Sequence, residues 1–216
     1  MEVLVAGAHG GIGQHLVRLL STGGHGVRGL IRNPDQSAAL EALGARPVVA
    51  DLEREDVTPP VKGCDAIVFT AGAGPGSGAA RKETMDYGGA VKLIDAARGA
   101  GVSRYVIVSA MGAGDPDAAP ESMRPYLVAK ARADRAVEES GLDYTIVRLG
   151  GLTDDPGTGL VDIAPSLGRR GQVSREDVAA TIVACLEEPG TVGETFELLA
   201  GETPIGDALR SLSNDK

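Results

Sequence analysis

Short runs of consecutive apolar, largely β-branched residues alternate along the chain with stretches whose apolar positions recur at helical spacing. The runs Val3–Ala6, Val27–Arg32, Pro47–Ala50, Ala66–Thr70, Tyr105–Ser109, Tyr144–Arg148 and Thr195–Leu199 predict strands. Several are apolar at successive positions, the pattern of strands covered on both faces. Helices are predicted between them. Gly11–Thr22 carries Ile12, Leu16, Leu19 and Leu20 on one side; Pro34–Leu43 stops at Gly44. Glu83–Ala100, Tyr126–Ser140 (ending at Gly141) and Arg175–Glu188 (N-capped by Ser174) follow. Strand–helix alternation of this kind implies an α/β fold, a doubly wound parallel sheet with helices on both faces. Pro59-Pro60 leaves little room for a helix between Asp51 and Ala66, so that crossover is expected to be abbreviated.

Three long loops rich in glycine or proline, Ala71–Ala80, Gly112–Arg124 and Gly150–Gly159, follow strands. Loops at the carboxyl ends of strands build the site in this fold class. The whole chain, 1–216, reads as a single domain. Residues 151–174 and 200–216 are expected to add a small irregular C-terminal cap on the substrate side, with a hairpin near Leu160–Ser174.

Composition narrows the partners. A chain of 216 residues can bury a core without a disulfide or metal staple. Its net charge of −9 repels phosphate backbones, and aromatics at 3% with no Trp offer few stacking platforms, so nucleic acid is not an expected partner. No apolar run is long enough to span a membrane, and no signal peptide is apparent. A cytoplasmic protein is expected, with Cys64 and Cys185 as core thiols and no metal site.

The most informative segment is Val3-Leu4-Val5-Ala6-Gly7-Ala8-His9-Gly10-Gly11-Ile12-Gly13. It places glycines at G-x-x-G-x-x-G spacing directly after a strand and at the opening of a helix, the Rossmann-type arrangement. Gly7 permits a tight turn, Gly10 and Gly11 let the backbone approach a pyrophosphate, and Gly13 lets the helix pack on the strand. The helix N-terminus, with Ile12 in its first turn, then offers N–H groups to the phosphates. His9 is a candidate phosphate contact or a solvent-facing loop residue. Arg32 and Asn33 end the second strand, where the adenosine ribose is read. An acidic residue there holds the 2′-hydroxyl of NAD, whereas Arg32 suits the 2′-phosphate of NADP. Asp51 and Leu52 stand where adenine would lie, with a turn-forming role for Asp51 as the alternative. Thr70, Ala71 and Gly72, at the end of the fourth strand, are expected along the same crevice.

Tyr126 and Lys130 lie at i and i+4 and share a helix face. Beside a nicotinamide, a phenol can pass a proton to the alkoxide formed from a carbonyl. An adjacent ammonium would lower the phenol's pKa.

With these elements together, the sequence resembles the short-chain dehydrogenase/reductase superfamily, and more narrowly its atypical branch of NAD(P)-binding, epimerase/dehydratase-like and NmrA-like proteins. The likeness covers Gly7–Gly13, Arg32, Asp51-Leu52, Asp86-Tyr87-Gly88-Gly89-Ala90, Val108-Ser109, Tyr126–Lys130, Leu142–Arg148 and Ser174-Arg175-Glu176-Asp177-Val178-Ala179. It implies a catalytic set of Tyr126, Lys130 and Ser109, a second contact of Lys130 with the nicotinamide ribose, and backbone contacts from Leu149 to Leu152 along the nicotinamide. It also implies close packing of Gly88-Gly89 under the cofactor. Two positions depart from the pattern. Met111 fills a slot usually held by Ser or Thr, so Ser109 or a loop N–H would have to replace it. Arg148-Leu149-Gly150 stands where Arg-Pro-Gly is usual.

The expected activity is an NADP(H)-dependent oxidoreductase acting on a small carbonyl, quinone or sugar-derived molecule. The alternatives are a non-catalytic NAD(P)-binding regulator and an NAD-dependent epimerase/dehydratase-like enzyme. A monomer is favoured over a homodimer, with a small-molecule substrate and no membrane partner.

Overall fold

The computed structural model describes residues 1–74 and 76–214. One position of the Ala71–Ala80 loop and the last two residues of the expected cap lie outside the described residues. The chain runs β1 (Glu2–Ala6), α1 (Gly11–Thr22), β2 (Gly26–Ile31), α2 (Ser37–Ala42), β3 (Arg46–Val49), α3 (Thr58–Val61) and β4 (Ala66–Phe69). A short α4 (Ala79–Arg81) leads through a π-helical stretch, Lys82–Gly89, into α5 (Ala90–Ala100). Then come β5 (Arg104–Ala110), α6 (Arg124–Glu138), β6 (Asp143–Leu149), β7 (Gly151–Thr153), β8 (Leu160–Ala164), β9 (Gln172–Ser174), α7 (Arg175–Glu187), β10 (Glu194–Ala200), β11 (Thr203–Pro204) and α8 (Ile205–Asn214).

The main sheet has the order β11-β8-β10-β6-β5-β4-β1-β2-β3. From β3 to β10 every neighbouring pair is parallel, and β8 adds an antiparallel edge strand capped by β11. This is the α/β Rossmann-type sheet that the strand–helix alternation implies.

The continuous apolar runs have a direct explanation. Successive side chains of a strand point to opposite faces, and both faces are covered. Val3 and Val5 join a core with α1, α7 and α8, whereas Leu4 and Ala6 join a second core with α3, α5 and α6. β4 divides likewise, with Ala66 and Val68 on one side and Ile67 and Phe69 on the other. The crossover at Pro59-Pro60 is indeed short, since α3 is a single turn.

Two expectations change. Leu160–Ser174 does not form a hairpin: β8 pairs with β10 and β11 in the main sheet, and β9 pairs in parallel with β7 in a separate two-stranded sheet. The predicted helix over Glu83–Ala100 is π-helical until Gly89. Two adjacent glycines weaken the ordinary helix there, in keeping with their low helix propensity.

α7 is fixed at both ends. Ser174 Oγ accepts the Asp177 N–H at 3.0 Å, the N-cap read from the sequence. At the other end Arg104 donates to the Cys185 carbonyl at 2.6 Å and to the hydroxyls of Thr145 and Thr191 at 2.8 and 3.0 Å. Cys64 and Cys185 are both buried, and burial pushes the Cys185 thiol up to about 12, so it is inert packing. Among the described residues no helix is long and apolar enough to cross a membrane.

Two glycine substitutions should separate space from propensity. A Cβ on Gly150 would lie 2.3 Å from Leu199 Cδ2 and 2.6 Å from the Gly171 carbonyl oxygen. Gly150→Ala should cost ~1–3 kcal/mol and lower the thermal midpoint by several degrees. Gly99 in α5 has nothing within 4 Å of such a Cβ. Gly99→Ala should instead stabilise the chain by ~0.5–1 kcal/mol. Thermal unfolding of the two variants beside the parent checks both signs.

Candidate functional site

A cleft of about 980 Å³ opens at the carboxyl ends of the central strands. The glycine turn forms its middle. Gly7 has φ +83°, and a Cβ there would lie 2.7 Å from the Ala71 nitrogen, so the ends of β1 and β4 touch across this residue. The Gly10 N–H closes the turn on the Gly7 carbonyl at 2.9 Å, and Thr70 Oγ1 donates to the Ala6 carbonyl at 2.9 Å. A Cβ on Gly13 would meet the Gly7 carbonyl oxygen at 2.2 Å. The first turn of α1 has no acidic side chain to neutralise its positive end, and Gly11, Ile12 and Gly13 line the cleft. Bare backbone at a helix N-terminus fits a pyrophosphate. His9, Ala71 and Gly72 line the same stretch, and the His9 carbonyl accepts from Gln14 Nε2 at 2.8 Å.

At one end stand Arg32, Asn33, Asp51 and Leu52. Arg32 is 57% exposed in its side chain, and its Nη1 is 3.8 Å from Glu53 Oε2. Arg81 approaches the same oxygen at 3.7 Å. Asn33 Oδ1 accepts the Asp35 N–H at 3.0 Å and caps the turn that follows. Asp51 Oδ1 accepts the Glu53 N–H at 2.8 Å, so its carboxylate shapes a turn while also facing the cleft.

Tyr126 and Lys130 line the cleft together on α6, and Leu152 of β7 lines it as well. Lys130 is buried. Its Nζ donates to the Val108 carbonyl at 3.0 Å and lies 3.5 Å from Asp86 Oδ1. Asp86 Oδ2 in turn accepts the Ala73 N–H at 3.2 Å, so this pair ties α6, β5 and the loop after β4 together. The ammonium is 5.9 Å from the centre of the Tyr126 ring, and Lys82 Nζ is 5.1 Å from it. The expected lowering of the Tyr126 pKa does not occur. Burial first, then the Asp86 and Asp134 carboxylates, push the phenol up to about 12. Lys130 is committed to Asp86, and burial also disfavours its own charge.

Ser109 and Leu149 do not line the cleft. Ser109 is buried on the α6 side of β5, and the Asp134 carboxyl of α6, raised by burial, is held down by Arg148. Arg148 Nε donates to Asp134 Oδ2 at 3.0 Å. Leu149 points to the opposite face of the sheet with Val147, into the core under α7. Strand alternation accounts for both placements. Gly88 and Gly89 also stay outside the cleft. Gly89 packs on Phe69 and Met85, and a Cβ on Gly88 would find its nearest neighbour only at 3.5 Å, so the expected tight packing there is absent. Of the expected cap, only Leu152 reaches the cleft among the described residues.

Several cleft residues were not assigned from the sequence: Arg81, Lys82, Met85, Asp86, Ser122, Met123 and Arg175. Asp86 and Arg175 do lie within the stretches that carry the family likeness.

The profile of an NAD(P)H-binding family matches residues 7–189. The chain belongs to the atypical short-chain dehydrogenases/reductases. This family is NAD(P)-binding and oxidoreductase- or epimerase-like. The chain is 46% identical over 215 residues to an uncharacterized sugar epimerase, YhfK, of Bacillus subtilis, covering 98% of this chain and all of that one. Among solved structures, a putative NAD-dependent epimerase/dehydratase from Bacillus halodurans is 41% identical with a TM-score of 0.94, over 98% of this chain and 99% of the other. The anaerobillin reductase ChuY of Escherichia coli O157:H7 is 27% identical with a TM-score of 0.81, over 93% and 97% of the two chains.

The buried Lys130–Asp86 pair yields a stability prediction for this family member. Lys130→Met leaves a buried carboxylate without its cation and should cost ~3–5 kcal/mol. Adding Asp86→Asn should recover much of that loss, a coupling above ~1 kcal/mol in a denaturant double-mutant cycle.

Proposed function

We propose that the chain is an NADPH-dependent reductase of a small carbonyl, quinone or sugar-derived molecule. The observation that carries the reading is the Tyr126 phenol, facing the cleft with its pKa pushed up to about 12. When bound, the reduced nicotinamide would supply the hydride. Reduction of a carbonyl then needs a proton at the new alkoxide oxygen. A phenol that stays protonated through the physiological range is poised to give one, and alcohols are far weaker acids than phenols, so the transfer runs downhill. Lys82, 5.1 Å from the ring centre and not paired with Asp86, would steady the phenolate until solvent reprotonates it. An epimerase or dehydratase needs a base at this position, and a phenol at about 12 is a poor one. That argument favours reduction despite the epimerase names of two relatives.

Arg32 supports NADPH over NADH. Its guanidinium is exposed at the ribose end and only loosely held by Glu53, free to take a 2′-phosphate bidentately. The slot of Met111 offers no hydroxyl, and Ser109 is turned away. Thr70 and Ser77 also line the cleft but donate their hydroxyls to the Ala6 and Gly74 carbonyls, so Ser122, in the loop before α6, is the hydroxyl we assign to a substrate oxygen. A second reading, a dinucleotide-responsive regulator without turnover, takes its support from Met111. We also propose a monomer acting on a small molecule in the cytoplasm.

Titration with NADPH and NADH, read by nicotinamide fluorescence, should show NADPH at least about tenfold tighter, or about 1.4 kcal/mol. Arg32→Ala should erase that preference. Equal binding by the parent chain would remove the NADP assignment. On a substrate found by a carbonyl and quinone screen, Tyr126→Phe should cut kcat by ~10²–10⁴ without changing NADPH affinity. The rate of reduction should be flat with alkaline pH towards about 12, because the phenol remains protonated below that value. Oxidation of the product needs the phenolate, so its rate should rise about tenfold per pH unit over the same range. A reductive rate that falls away near neutrality would remove Tyr126 as the donor.

A further inference from the structure

Arg175 is the first residue of α7, yet its side chain reaches across to the first residue of α1. A Cβ on Gly11 would lie 2.7 Å from Arg175 Cδ and 2.9 Å from its Nε, so glycine at this position makes room for the arginine as well as for a ligand. The Arg175 side chain lines the cleft beside the glycine turn. A guanidinium and the positive end of a helix thus meet at one point, an arrangement that an anion between them would stabilise. In this structure the anion is Asp154. Its Oδ1 receives Arg175 Nη1 at 2.6 Å from a side chain that is 88% exposed. A carboxylate so open to water surrenders little hydration to form the pair and regains it easily on leaving.

The rest of the loop is fastened differently. Glu176 accepts the Gly157 N–H at 3.0 Å, and Asp177 accepts the N–H groups of Thr158 and Gly159 at 3.0 and 2.7 Å. Loss of the Arg175 contact would therefore free the front of the loop, Asp154 and Asp155, and leave its back attached to α7. That front directly follows β7, whose Leu152 lines the cleft.

We propose that Arg175 is a ligand for the bridging phosphates of the dinucleotide, and that Asp154 is its place-holder in the cofactor-free chain. Cofactor loading then exchanges one anion for another on Arg175 and releases the loop front that follows Leu152 of the cleft wall. The proposal rests on the reading of the cleft as a dinucleotide site.

The two partners carry opposite expectations. Arg175→Met should weaken NADPH binding at least about tenfold while leaving the NADPH:NADH ratio unchanged, because that ratio belongs to the ribose end. Arg175→Lys should restore part of the affinity, which a folding defect at this position would not allow. Asp154→Asn should tighten NADPH binding about threefold or more, since a competitor for Arg175 has gone and the competent state is more populated. Amide hydrogen exchange over Asp154 and Asp155 should quicken when NADPH is added, and should already be quick in Asp154→Asn. Weaker binding by Asp154→Asn would overturn the place-holder role and make Asp154 an orienting group. Unchanged binding by Arg175→Met, with the parent chain still binding NADPH, would overturn the phosphate role and leave the dinucleotide reading intact. A parent chain that binds neither nucleotide would overturn both.

Discussion

The contact between Gly13 and the Gly7 carbonyl sets the geometry on which the rest depends. No side chain fits there, since a Cβ would stand 2.2 Å from that oxygen. Only with glycine at both positions can the start of α1 press against the end of β1. That press aims the helix N-terminus at the cleft and brings the ends of β1 and β4 into contact at Gly7 and Ala71. It also brings α1 beside α7, where Arg18 bonds Glu176 at 2.6 Å. Arg175 can therefore reach Gly11, and the loop after β7 can be tied to the same helix end. The turn and the loop tied to α7 form one connected assembly, held by a carbonyl that tolerates no neighbouring side chain.

A second constraint works on the opposite side of the cleft. Lys130 sits deep under α6 with Asp86, and both charges are removed from water. Burial of this kind is costly unless hydrogen bonds complete the pair, and here the Val108 carbonyl and the Ala73 N–H do so. The consequence for Tyr126 is electrostatic. A lysine already neutralised by a carboxylate cannot lower a neighbouring phenol in the way that a free ammonium would. The Tyr–Lys spacing is the same in either case, but burial of the phenol raises its pKa, and the carboxylate that occupies the lysine adds to that rise.

The sheet, its two-sided burial and the glycine turn were legible because each leaves a pattern in the chain itself. Runs apolar at every position report two covered faces, and glycine spacing after a strand reports a close approach. The place of Arg32, Tyr126 and Lys130 in the cleft wall was legible from their position relative to strands. The misreadings arose where tertiary pairing decides. β8 and β9 are short and separated by a turn, so a hairpin was the local expectation, but each found a better partner in β10 and β7. Ser109 and Leu149 face opposite sides of the sheet, towards α6 and α7, and which face of a strand meets α6 or α7 is not encoded locally. Arg175 and Lys82 reach the cleft only because α7 and the π-helical stretch are brought there by packing.

These observations explain how a chain of net charge −9 can host a polyanion, on the dinucleotide reading. Arg32 and Arg81 share Glu53, and Arg175 holds Asp154. Both sets of arginines line the cleft at partly exposed positions, where an ion pair is weak and can be exchanged. Lys130 and Asp86 are different, since their burial makes that pair permanent. The acidic surface therefore need not repel the ligand from its site. Glu53, partly buried, and Asp154, exposed, keep the binding cations oriented, and a ligand phosphate, with more acceptor oxygens and a larger charge than a carboxylate, can displace them one at a time. On the NADPH reading proposed above, specificity would lie in which exchangeable pair a phosphate can reach, with the bridging phosphates at Arg175 and a 2′-phosphate at Arg32.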